Sequence, residues 1–142
     1  MRLGQQDIAR DVAALQPYLL KGSIVTFADR YVVLNAVDRT PDGSETLTLD
    51  NAKIPETARA VLFHLQVKCT AAGAGAYYHL GPEVAGDDRY HYTAWTQVNN
   101  LYNSVAGVLR VASDGTNALL YGNYGVNGGT LTVSLWITGY VR

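Results

Sequence analysis

Thr130-Leu131-Thr132-Val133-Ser134-Leu135-Trp136-Ile137-Thr138-Gly139-Tyr140 is the stretch on which the fold turns. Leu131, Val133, Leu135 and Ile137 alternate with Thr130, Thr132, Ser134, Trp136 and Thr138. A period of two is that of a half-buried strand, because successive side chains leave opposite faces of a pleated chain. A one-residue slip would expose the whole apolar set, so the register is strongly specified. Carried on to Tyr140, the alternation predicts that Trp136, Thr138 and Tyr140 share one hydroxyl-rich face. These three are the candidate subunit interface.

Working back from this strand, Asn127-Gly128-Gly129 is a turn signal between apolar runs. Strands are expected at Ala118–Tyr121, Val105–Val111, Tyr90–Val98 and Ala76–Leu80, with Ser113-Asp114-Gly115 and Gly81-Pro82 as breaks. Arg59 to Cys69 alternates as well: Val61, Phe63, Leu65, Val67 and Cys69 against His64, Gln66 and Lys68. Residues 23–53 are expected to form a small meander, with strands at Ile24–Phe27, Tyr31–Val37 and Thr46–Leu49. Ala28-Asp29-Arg30 and the turn Thr40-Pro41-Asp42-Gly43 separate them. Short strands with turn signals every ten residues or so predict a mainly β chain, an antiparallel β-sandwich of jelly-roll type. The sandwich domain is expected over 54–142.

Residues 1–22 differ. Ile8, Val12, Leu15 and Leu19 fall at i, i+4, i+7 and i+11, the stripe of an amphipathic helix. Pro17 should end or kink it, since proline lacks the N–H and crowds the preceding turn. Such a helix either packs on its own domain or projects as an arm that attaches to a neighbour.

Only 16% of the 142 residues are charged, where about 25% is usual. The deficit is local. Residues 1–55 hold six Lys/Arg and seven Asp/Glu, but nothing between Asp114 and Arg142 carries a formal charge. A neutral stretch of that length is either core or surface covered by another chain. Net charge is −1, which argues against a basic nucleic-acid binder. No apolar run approaches the roughly 18 residues that span a bilayer. Arg2 and Arg10 flank the polar Gly4-Gln5-Gln6-Asp7, which is not a secretory signal. The single Cys69 excludes an internal disulfide.

Catalysis finds little support in the residues. His79 and His91 flank Asp87 and Asp88, but the spacing fits no metal-ligand motif. Glu83, Asp87 and Asp88 could supply a glycosidase pair, yet they sit in one loop and would repel each other. Cys69 lies on the apolar parity of its strand, no Gly-x-Ser-x-Gly elbow occurs, and no glycine loop leads into a helix with a lysine. No catalytic residue, cofactor or metal is therefore assigned. The chain is instead rich in ten Tyr and two Trp, residues suited to half-wet surfaces. A second candidate surface joins Trp95, Tyr92 and His91 to Asp87 and Asp88, where a ring could stack on a sugar while polar groups bind its hydroxyls.

Ile54-Pro55-x-x-Ala58-x-Ala60-Val61-Leu62, the Gly/Ala- and Tyr-rich middle, and Leu135-Trp136-Ile137-Thr138-Gly139-Tyr140 together resemble small β-sandwich virion proteins of tailed bacteriophages. Decoration proteins and tail-fibre or receptor-binding tips are of this kind. The resemblance covers about 85 residues, from Ile54 onward. It implies a non-enzymatic structural protein of the virion, a homotrimer, with a leading segment attached to other virion proteins. The alternative it implies is a module that recognises a host-surface glycan.

Overall fold

The computed structural model describes residues 23–72, 75–82 and 92–142, and among these the regular structure is entirely strand. The strands are β1 (Ile24–Arg39), β2 (Gly43–Thr48), β3 (Ala60–Cys69), β4 (Ala76–Gly81), β5 (Tyr92–Trp95), β6 (Asn103–Arg110), β7 (Ala112–Ser113), β8 (Ala118–Val126) and β9 (Leu131–Val141). The expected helix with Ile8, Val12, Leu15 and Leu19 lies outside the described residues, as does the segment with Asp87, Asp88 and His91.

Two antiparallel sheets pack face to face. Sheet A has the order β1-β9-β3-β6, and sheet B the order β2-β8-β4-β5 with the short β7 beside β8. The pairs nest: β1 with β9, β2 with β8, β3 with β6 and β4 with β5. Successive pairs alternate between the sheets, so the chain is one long hairpin rolled into a sandwich. That is the jelly roll the strand pattern predicts.

The core follows from the two strongest alternations. β3 and β9 are neighbours, and Leu65 faces Leu135, Val67 faces Val133 and Cys69 faces Leu131, all six fully buried. Sheet B covers them with Tyr78, Leu80 and Leu120, also fully buried. Each such aliphatic side chain contributes roughly 1.5–3 kcal/mol by leaving water.

Three expectations are corrected. The meander over 23–53 is not formed: β1 and β2 lie in different sheets and pair with β9 and β8. Ala28-Asp29-Arg30 does not divide two strands either. It is a bulge within β1, where the register with β9 shifts between Thr26 and Tyr31. Asn127 and Gly128 do make a turn, with φ of 51° and 77° and Gly129 N–H bonded to Val126 C=O at 2.8 Å. The strands it joins, however, belong to opposite sheets.

The third correction concerns the decisive strand itself. Phe63 faces Ile137 and Leu62 faces Gly139, so Thr138 is an extra residue opposite no partner on β3. Such a bulge resets the alternation. Tyr140 consequently shares a face with buried Val61, packs against the core and meets the Phe27 ring at 6.0 Å. It does not share the outward face of Trp136.

Where the chain crosses from sheet A to sheet B, a polar clip closes the end of the sandwich. Arg39 of β1 pairs with Glu45 of β2 at 2.6 Å, and Tyr78 of β4 donates its hydroxyl to the other Glu45 oxygen at 2.7 Å. Gly122 makes room: a Cβ there would lie 2.0 Å from the Tyr78 hydroxyl. Burial, then the Glu45 charge, pushes the Tyr78 pKa well above the usual phenol value.

Candidate functional site

The sandwich presents two outer sheet faces, and register decides which side chains meet on each. On sheet A, Val32, Trp136, His64 and Ala106 form one cross-strand row. Ser134, Gln66 and Ser104 form the next, and Asp38, Thr132 and Lys68 a third. The Arg30 guanidinium lies over the Trp136 ring at 4.5 Å, and the His64 ring stacks on it at 4.3 Å and 9°. Because Arg30 comes from β1 and His64 from β3, the indole is held upright between them. Lys68 lies over the Tyr102 ring at 4.8 Å, and Thr132 donates its hydroxyl to Asp38. Val32, Tyr102 and Val108 are the large apolar groups left exposed here.

Sheet B differs in charge. Its outward rows are Ser44–Asn123–His79–Thr93, Thr46–Tyr121–Gly81 and the pairs Gly125–Tyr77 and Tyr77–Trp95. None of these side chains is Asp, Glu, Lys or Arg. Tyr77 and Trp95 rings meet at 5.1 Å, and His79 lies 4.4 Å from Tyr77 and edge-on to Trp95 at 6.1 Å. A hydrogen bond joins His79 Nδ1 to Thr93 Oγ1. Trp95 is 41% exposed.

The neutral stretch of sequence is thus split between two surfaces. Its β9 half lies in sheet A, where Arg30, Asp38, Lys68 and His64 from neighbouring strands restore charge and polarity. Its β8 half lies in sheet B, where the neighbours β2, β4 and β5 add none among the described residues. Among the described residues, the charge-free surface is the outer face of sheet B.

The structure separates both sets of candidates. Trp136 is outward, Thr138 is exposed in its bulge, and Tyr140 is inward. Tyr92 is also inward: its ring meets Phe63 edge-on at 4.9 Å, while Trp95 points out from the same short strand. His91, Asp87 and Asp88 lie outside the described residues. Tyr77, His79 and Asn123 join Trp95 on this face, outside the candidates that sequence patterning marks. The alternation of Tyr77 and His79 with buried Tyr78 and Leu80 was their signal. Arg30 and Tyr102 carried none, since a bulge and a loop bring them to the sheet.

Among the described residues no group of three or more His, Cys, Asp or Glu could hold a metal ion. No helix among them is long and apolar enough to cross a membrane. Cys69 is buried, with its sulfur 3.4 Å from the Val126 carbonyl. A comparison with protein-family models finds none that matches the chain, and a comparison with curated proteins likewise finds no match.

Proposed function

We propose that the chain is a non-enzymatic structural module of a tailed-phage virion, of the decoration or tail-fibre type. In this reading it assembles as a homotrimer by burying the outer face of sheet B. One observation supports the assembly: among the described residues that face is free of formal charge and rich in rings, with Trp95 and Tyr77 at its edge. Interface cores are depleted in charge and enriched in Tyr and Trp, because burying an unpaired charge is costly and burying a ring is not. The virion assignment rests on the resemblance of the segments from Ile54 to Tyr140. Residues 1–22 are then the segment that attaches to other virion proteins.

Sedimentation of the full chain at micromolar concentration tests this. The expected result is a trimer that Asn123→Lys, a charge placed at the centre of the face, converts to folded monomers. A wild-type monomer, or a trimer indifferent to Asn123→Lys, overturns it.

A second reading, recognition of a host-surface glycan, is supported by rings, amide and hydroxyls on that same face: Trp95, Tyr77, Asn123 and Thr93. Glycan-array binding lost in Trp95→Ala, with the oligomeric state unchanged, favours it over assembly.

A further inference from the structure

We propose that the outer face of sheet A holds a binding site for a single sugar residue bearing a carboxylate, of the uronic-acid kind. The site is a hollow of about 280 Å³, whose lining includes Arg30, Asn35, Gln66, Tyr102, Ser134 and Trp136. It lies on the sheet opposite to the proposed assembly face and does not depend on that reading.

Irregularity in β1 builds the hollow. The register between β1 and β9 shifts between Val32 and Leu34 and again between Leu34 and Val37, with Ala36 at φ 48°. The Ala36 N–H is pinned by Ser134 Oγ at 3.0 Å. One wall is therefore the bulged β1 backbone, the floor is the cross-strand pair Ser134 and Gln66, and Tyr102 stands on the far side.

The chemistry of the lining selects the ligand. The Arg30 guanidinium carbon lies 4.5 Å over the centre of the Trp136 ring, and among the described residues Arg30 makes no hydrogen bond or ion pair. A guanidinium carries its five N–H donors in one plane, a fixed fork that matches a carboxylate, and here none of them is engaged by a described residue. With His64 stacked on the indole, Trp136 gives the Arg30 guanidinium a fixed seat at the rim of the hollow. The side-chain amides of Asn35 and Gln66 also make no hydrogen bond among the described residues, so both donors and acceptors are available for ring hydroxyls. Tyr102, 45% exposed, offers a ring edge or face to the apolar side of a pyranose.

Size and charge narrow the choice further. Pockets for drug-sized ligands run from about 300 Å³ upward, so this one suits one monosaccharide unit. Lys68, stacked on Tyr102, adds to the positive rim, whereas Asp38, on the same face beyond Ala36, opposes a second negative charge. A monoanionic carboxylate fits that balance better than a phosphate dianion.

The test is a nitrogen–proton correlation NMR titration of the full chain with D-glucuronate, D-glucose and inorganic phosphate in separate arms. Glucuronate should shift the Trp136 indole N–H and the Gln66 side-chain amide saturably and leave the Trp95 indole unmoved. Arg30→Gln should weaken that binding about tenfold, the loss of one charge-assisted pair. Gln66→Ala should weaken it without abolishing it. Both changes are at the surface, and the unaltered remainder of the spectrum reports the fold. Equal binding of glucose, equal or tighter binding of phosphate, or no saturable shift overturns the proposal. So do shifts that follow protein concentration instead of ligand, which would make the face a contact between copies of the chain.

Discussion

Tyr78 donates its hydroxyl to Glu45 Oε1 at 2.7 Å, while Arg39 Nε donates to Glu45 Oε2 at 2.8 Å. The carboxylate thus ties β1, β2 and β4 together at the point where the chain changes sheets. Tyr78 is fully buried and Glu45 only partly so, which makes the hydroxyl the member with most to lose. Tyr78→Phe should cost about 1.5–3 kcal/mol, the range for a hydrogen bond to a charged group. Urea unfolding at neutral pH measures it directly.

The same contact sets an alkaline limit. The folded pKa of Tyr78 is raised by burial first and then by Glu45, above the ordinary 10.0. The folded state therefore holds its proton where the unfolded chain releases it. This contribution to stability is complete below about pH 10 and is lost as pH rises through the folded value. Urea midpoints should fall more steeply above about pH 10 in the wild type than in Tyr78→Phe. Parallel slopes would show that Tyr78 is not the group responsible.

Two glycines separate steric from conformational cost. Gly122→Ala would drive a Cβ to 2.0 Å from the Tyr78 hydroxyl, so the ring must leave its place. A loss of about 3 kcal/mol or more, or no soluble protein, is expected. Gly128→Ala meets nothing within 4 Å but must adopt φ +77°. Its cost should be about 1–2 kcal/mol, from the left-handed backbone alone. Thermal unfolding of the pair tests the contrast.

Deleting Thr138 should be tolerated. With the bulge gone, Ile137 still faces Phe63, Gly139 faces Leu62 and Tyr140 faces Val61, in a regular ladder. A loss of no more than about 1–2 kcal/mol is expected, with Tyr140 still protected from solvent. Uninterrupted alternation over 130–140 would instead predict that the deletion moves Tyr140 to the other face and breaks the end of the strand.

Cys69 should not react with a thiol reagent in the folded protein, because its sulfur is fully buried and out of the reagent's reach. Its modification rate in increasing urea should follow global unfolding. Rapid labelling under native conditions would mean that the end of β3 opens locally.

Periodicity made the core legible. The inward residues of β3 and of β9 up to Ile137 could be named from alternation, because burial on one face must repeat every second residue. Bulges were not legible, since Thr138 and the Ala28-Asp29-Arg30 step look like any other strand residues. That is why alternation alone puts Tyr140 on the outward face and divides β1 into two strands. Asn127-Gly128 announced a turn but not whether it closes a hairpin or carries the chain across the sandwich. The candidate surfaces suffered most, because a surface is made by pairing distant strands. A neutral run of sequence became half of a charged face and half of an uncharged one. Tyr92 and Trp95 stand three residues apart, and an odd spacing in a strand puts them on opposite sides.

The nested pairing also fixes the order in which the molecule can come into being on a ribosome. β1 is made early, yet its ladder in sheet A is with β9, the last strand in chain order. Sheet A cannot assemble while β9 is still unmade or inside the exit tunnel, since β9 sits between β1 and β3. The innermost pair, β4 with β5, can close first and the outermost last. Long-range pairing of this kind makes folding slow, and the nascent chain must carry its uncovered apolar strands until β9 has emerged. Stalled or truncated chains lacking β9 should therefore be aggregation-prone and protease-sensitive, however complete their first 130 residues are.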